Sequence, residues 1–500
     1  MEFTNMYPRI FLTFLAQHSH NFLAGSTMIA IHHAMTRDER LPTLQNALLA
    51  FSHKNTDLHS YEVDMGAVHA LILQLGFCLS SRTNQTEIDL ICQCLYQIIS
   101  QCPSLRKVSI WQDLGMTELV PLLLQAGPHS WSVLAIFCQL AVAKTSLIGY
   151  PRLLDQAVHH LQNSHDESVV NEILGALKDL SFQSDPQSKQ ILFKAKGLTE
   201  KLVAKVDGAR EKDDQWSKRH KEYIAMFWWN LALSVPDMKT DRQLLNSLQI
   251  LLQDQSNVKI RQSAIAALGN LLSSERLIQN DSFWNLLLHM ALRETDTACR
   301  RRVLRSLRRL LSTVASKRPS AMYVLVQVAV QDEDTDIRLQ ALEGLRHLQP
   351  TAPIDCWTNA MVAIMESGSD VRVTWMACQM LSDGAVILQP SGNFWKAASQ
   401  LIESIPESHA NVTRILSCMV KNGGHDKLLE SPVALLILAQ LLLTEQRPLG
   451  LVQQLLASEK QRLAECDALL SSLVTICLST TDVDEKDVAK SIILQLVPEL

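Results

Sequence analysis

A pattern of capped, amphipathic helices returns along this 500-residue chain at intervals near 40 residues, and that periodicity constrains the fold more than any other feature. The helix "SNVKIRQSAIAALGNLLSSE" (Ser256 to Glu275), with Asn257 as its N-cap, sets the frame. Caps then fall at Asn84, Ala126, Asp166, Ser217, Asn257, Asp296, Asp334 and Asp370, from 36 to 51 residues apart. All but Ala126 carry a side-chain oxygen able to accept from the free N–H groups of a first helical turn. Gly127-Pro128 follow Ala126, so the helix there is expected to begin slightly later, with proline in its first turn. Seven residues after the caps stand Ile91, Val133, Ile173, Ile224, Ala264, Val303, Ala341 and Ala377; eleven after stand Leu95, Phe137, Leu177, Trp228, Leu268, Leu307, Leu345 and Leu381. Every one is apolar, and steps of four and seven place them on one helical face.

Such a unit cannot bury its apolar face alone, so the expected fold class is all-α: a right-handed superhelical solenoid in which neighbouring units share a continuous core. Composition agrees. The balance of 46 basic against 51 acidic residues, formal charge −5, argues against a general nucleic-acid binder. The apolar run Val433 to Leu443 falls short of a bilayer span. Glu2 ahead of the apolar stretch from Ile10 to Ala16 argues against a secretory signal. Eleven cysteines with no CxxC pair, only the CxC of Cys92 and Cys94, fit reduced thiols in a cytoplasmic or nuclear setting.

The early units carry "VDMGAVHALILQLGFCL", "WQDLGMTELVPLLLQ" and "KAKGLTEKLVAKV", each with a glycine where one helix would stop and another begin. With the endings "ALKDLS" and "ALGNLL", these resemble armadillo repeats. From Asn257 on, "NVKIRQSAIAALGNLL" and "DTDIRLQALEGLRHL" resemble HEAT repeats equally, with an arginine just after the first buried aliphatic. The resemblance covers roughly Asn55 to Gly384 and identifies a superfamily of α-solenoids. It implies N-terminal capping helices over 1–53, armadillo-like repeats over 54–235 with a charged insertion near 207–221, HEAT-like repeats over 236–384, and degenerate helical repeats with a cap over 385–500.

The position thirteen residues after each cap lies about 120° from the centre of the apolar stripe, at the edge of the exposed face. It reads Gln97, Gln139, Asp179, Asn230, Asn270, Arg309, His347 and Asp383, polar throughout. In armadillo proteins that bind extended peptides an asparagine here bonds the ligand backbone, which is what the resemblance implies for Asn230 and Asn270. Nuclear-import receptors of this fold add a tryptophan one turn earlier; Met226 and Ala266 stand there, so no basic-signal pocket is expected. Met226 and Trp229 would form an aromatic rung, and Ala266 with Gly269 a nearly bare one that admits close backbone approach. In "ACRRRVLRSLRRLL", Arg301, Arg305 and Arg308 fall within about 60° of one another, opposite the apolar stripe. Arg346 extends this patch in the next unit, partly neutralised by Glu343. Guanidinium forks suit carboxylates and phosphates. Trp216 stands out in the charged insertion as a large aromatic expected either to fold back or to meet a partner.

No P-loop, GxSxG, HExxH or zinc-spaced Cys/His block occurs in the sequence. The neighbouring pairs His32-His33 and His159-His160 point about 100° apart on a helix and do not suit one ion. The sequence reading is therefore a non-enzymatic scaffold or adaptor, without cofactor, metal or small-molecule substrate. Its concave groove would hold an acidic or phosphorylated segment of a protein partner. The alternative is a regulatory or chaperone-assisting factor that clamps a folded partner such as a GTPase or an Hsp70-type ATPase. RNA binding would need a regular base-reading code, which the thirteenth positions do not show.

Overall fold

Cap residues set where the helices begin. Asp166 Oδ1 accepts from the Ser168 N–H at 2.8 Å, Asn257 Oδ1 from Lys259 at 2.9 Å and Asp296 Oδ1 from Cys299 at 2.8 Å. Asp334 and Asp370 do the same for Asp336 at 2.9 Å and Arg372 at 2.8 Å. The computed structural model describes residues 85–101, 116–139, 147–271 (except 151, 211 and 213), 281–314, 319–348, 354–383 (except 369) and 390–497, with scattered positions between 45 and 79. The expected cap Asn84 lies outside the described residues, as do the capping helices expected over 1–53 apart from one position.

Contacts divide the chain into two units, Met1–Leu271 and Leu272–Leu500. In the first unit the described helices are α1 (Gln85–Gln101), α2 (Met116–Ala126), α3 (Trp131–Cys138), α4 (Leu153–Asn163), α5 (Glu167–Ser181), α6 (Pro186–Lys194), α7 (Leu198–Gly208), α8 (Gln215–Ala232), α9 (Arg242–Leu252) and α10 (Val258–Leu271). Short 3-10 helices at Pro128–Ser130 and Pro236–Thr240 precede α3 and α9. The first is the delayed start that Gly127-Pro128 announces. Here α1, α3, α5, α8 and α10 pack side by side in one layer, and α4, α7 and α9 form a second. The triplet α6–α7–α8 is armadillo-like, and Gly197, at φ +77°, makes the turn from α6 into α7.

The described helices of the second unit are α11 (Asp281–Arg293), α12 (Thr297–Val314), α13 (Pro319–Gln331), α14 (Thr335–Arg346), α15 (Ile354–Ser367), α16 (Val371–Ser382), α17 (Gly392–Ser404), α18 (Ser408–Lys421), α19 (His425–Leu429), α20 (Pro432–Leu442), α21 (Leu449–Ala464), α22 (Asp467–Ser479) and α23 (Val483–Leu496). From α11 to α16 they are packed as pairs. The helices α12, α14, α16 and α18 make one layer, and α11, α13, α15, α17, α20 and α22 the other. Among the described residues there is no strand.

All sixteen apolar positions of the repeat frame are buried, none exposing more than 1% of its surface. None of the eight polar positions thirteen residues after the caps is buried. One start differs from the sequence reading. Helix α8 is capped by Asp214, not Ser217: Asp214 Oδ1 accepts from the Ser217 N–H at 2.9 Å and Oδ2 from the Ser217 hydroxyl at 2.7 Å. The charged insertion expected over 207–221 is thereby mostly helix, shared between the end of α7 and the first turns of α8. Helix α10 packs on α8 within the first unit.

Candidate functional site

In the first unit, helix α8 presents Tyr223, Met226, Trp229 and Asn230, all half-buried. Asn230 turns toward its own chain. Its Nδ2 donates to the Ser181 hydroxyl at 3.0 Å and to the Lys178 carbonyl at 3.3 Å, tying α8 to the end of α5. Asn270, the equivalent residue on α10, is half-buried and makes no hydrogen bond among the described residues, so its amide is available. Gly269 is not part of an open rung: it is buried, while Ala266 is half-buried. Lacking a side chain, Gly269 is covered by the packing around it. Sequence reasoning passed over Tyr223, whose ring lies 3.5 Å from the place where Gly175 would carry a Cβ and 5.0 Å from the Lys178 ammonium. A Cβ at Gly175 would thus stand in ordinary van der Waals contact with the ring.

Trp216 is 37% exposed. It sits in the first turn of α8, with the Arg219 guanidinium 5.9 Å from its ring centre and the His220 ring at 6.5 Å. His220 is buried, its Nδ1 3.6 Å from Glu167 Oε2 on α5 and its Nε2 without a hydrogen-bond partner. Burial depresses its pKa, the Lys205 charge adds to that, and Glu167 opposes it. On α5, burial and the nearby Asp166 charge push the Glu172 carboxyl up to about 7.

The four arginines singled out by sequence belong to the second unit and split into two kinds. Arg301 Nη2 lies 3.0 Å from Asp334 Oδ2 and 3.4 Å from Asp336 Oδ2, and Arg308 pairs with Glu343. Burial works to raise the Asp334 pKa, but the Arg301 hydrogen bond and the N–H groups of Ile337 and Asp336 hold it below the usual range. Arg305 and Arg346 are exposed and have no ion pair or hydrogen bond among the described residues. The α12–α14 face thus combines two guanidinium groups braced by carboxylates with two that are open. Glu343 neutralises Arg308 across the helices, not Arg346 on its own helix.

Ion pairs that the sequence reading missed lie beneath these surfaces. Lys221 on α8 and Asp254 in the α9–α10 turn form a pair with side chains only 4% and 6% exposed. Arg300 Nε meets Asp332 Oδ2 at 2.9 Å, with side chains 15% and 9% exposed, and Arg300 Nη1 also donates to the Glu294 carbonyl at 2.8 Å. Among the described residues no group of His, Cys, Asp and Glu side chains is placed to hold a metal ion, and no helix is long and apolar enough to cross a membrane.

No protein-family model and no curated protein sequence matches the chain. Solved structures do match it. One is the structure in which a conserved phosphorylation switch controls the interaction between cadherin and beta-catenin. The match covers 94% of this chain and 99% of that one, with a TM-score of 0.53 at 13% identity. Another, Uso1-2, covers 95% of this chain and 85% of its own with a TM-score of 0.55 at 11% identity. The fold is an armadillo/HEAT-like helical repeat. At these identities the likeness concerns the fold, and it agrees with the layered helices of both units.

Proposed function

We propose that this chain is a non-enzymatic protein-binding scaffold, and that the α12–α14 face of its second unit takes an acidic or phosphorylated segment of a partner protein. The observation that carries this reading is the division among the arginines. Arg301 and Arg308 are held by Asp334, Asp336 and Glu343, while Arg305 and Arg346 have no acidic partner among the described residues. Bracing fixes part of a cationic surface before a ligand arrives, and open guanidinium groups offer paired N–H donors in the geometry that carboxylates and phosphates match. In the first unit, Trp229 and the free amide of Asn270 form a separate contact surface of aromatic and hydrogen-bonding character. A neighbour of the same fold belongs to a system whose partner interaction is controlled by phosphorylation, which supports the partner class. The overall charge of −5 favours a protein over a nucleic acid as that partner.

Affinity capture tests this when run in parallel with the parent chain and an Arg305→Glu/Arg346→Glu variant, with and without phosphatase treatment of the lysate. The proposal expects the parent's partners to be lost by the variant or by dephosphorylation. Recovery of a folded GTPase or ATPase domain equally well by both chains would favour the clamp reading in its place.

A further inference from the structure

Helix α23 packs Ala489, Ile492 and Leu496 into the second unit, leaving Val483, Asp487, Lys490 and Leu494 on the opposite side. These four fall within about 60° of helical arc, because their spacing of four, three and four follows the helical repeat. Val483 is 67% and Leu494 58% exposed, a large fraction for aliphatic side chains in one stripe. Leu478, 82% exposed, stands five residues before Val483 near the C-terminal end of α22. Between the apolar ends stand opposite charges, Asp487 and Lys490, with side chains 67% and 55% exposed. The order apolar, acidic, basic, apolar has a specific symmetry. Laid antiparallel against a second copy of itself, the stripe brings Val483 opposite Leu494 and Asp487 opposite Lys490, and both matches occur twice.

We infer that α23 is a self-association surface, binding α23 of a second copy of this chain in antiparallel register about a two-fold axis. A two-fold interface must be complementary to itself, and the stripe meets that requirement in both charge and apolarity. The parallel arrangement does not, since it sets Asp487 against Asp487 and Lys490 against Lys490. Within one chain Asp487 and Lys490 lie 3.9 Å apart and both are solvated, so exchanging this contact for two across the interface costs little. The apolar ends then supply the drive, while the charges select the register. An interface of one helix is small, so the association is weak and concentration-dependent.

Sedimentation velocity on the full chain, in a concentration series reaching about 0.5 mM, tests this directly. The mass-average is expected to rise from 56.0 kDa toward twice that value. Asp487→Lys sets a lysine against Lys490 of the second copy, and Lys490→Asp sets an aspartate against Asp487; each alone is expected to stay monomeric. Mixing the two variants restores both pairs, so a heterodimer should appear only in the mixture. Leu494→Asp should abolish association in every combination. All three sites are exposed, so unchanged helical dichroism and melting serve as the folding control. A parent that stays monomeric throughout would overturn the inference, as would Asp487→Lys associating like the parent or a mixture that remains monomeric.

Discussion

Asn230 and Asn270 occupy equivalent places in the repeat, yet Asn230 joins α8 to α5 while the Asn270 amide remains available. Asn230→Ala is therefore expected to cost about 1 kcal/mol of stability, the worth of a hydrogen bond in a half-buried setting. Asn270→Ala should change stability by less than about 0.5 kcal/mol. Leu268→Ala, two residues away at a fully buried position, should cost about 2–5 kcal/mol. Urea melts of the three variants check that order. Glu172 gives a pH signature. Its folded-state pKa of about 7 lies above the ordinary value, so the protonated form is favoured by folding. That contribution is fully present below about pH 4.5 and is lost as pH rises through about 7. Glu172→Gln should consequently stabilise the chain more near pH 8 than near pH 5. His220 works the other way: its depressed pKa means that stability falls as pH drops below the ordinary histidine value of about 6.5. His220→Gln should flatten that acid limb in pH-dependent melts.

Between helices, cations and acids join successive repeats at a regular sequence distance: 33 residues for Lys221–Asp254, 32 for Arg300–Asp332, 33 for Arg301–Asp334 and 35 for Arg308–Glu343. The nearly buried Lys221–Asp254 pair makes the sharpest prediction of these. Lys221→Met takes the ammonium away from a nearly buried carboxylate whose Oδ1 still accepts from the Ser256 and Asn257 N–H groups and should cost about 3 kcal/mol, whereas Lys221→Met with Asp254→Asn, which keeps an acceptor oxygen for those groups without the charge, should recover most of that loss. Urea melts of the single and double variants decide it. Within one helix the sequence was highly legible. Five of the caps expected from the sequence hold the first turn of their helix, and the apolar residues at steps of four and seven mark the core, because both signals are local. Asp214 escaped notice because starting α8 one turn earlier leaves Ile224 and Trp228 in the same apolar register. The ion pairs escaped because a partner about 33 residues away carries no local mark; recurrence of an acid at that distance from each cation is the signal that would have found them. Gly269 is hidden for a related reason: periodicity gives the direction in which a residue points, while neighbouring helices decide whether that direction is open.

Across the molecule the contacts form two units, each with its own buried core. Residues 272–500 expressed alone are therefore expected to show strongly helical dichroism and a cooperative melt, and a non-cooperative fragment would show that this unit needs the first. The regular helix pairs of the second unit hold Arg301, Arg305, Arg308 and Arg346 on α12 and α14, where the partner is proposed to bind. Because carboxylates of the chain already engage Arg301 and Arg308, the open arginines Arg305 and Arg346 carry the test. The affinity of a captured partner segment for the parent and for Arg305→Gln/Arg346→Gln, measured by fluorescence anisotropy from about 0.05 to about 0.3 M salt, bears on the account most directly. At low salt the variant is predicted to bind at least about tenfold more weakly, the order expected from losing charge-assisted hydrogen bonds. Its affinity should also depend less steeply on salt, with an unchanged melting temperature. Equal affinity and an equal salt dependence in the two chains would contradict the account.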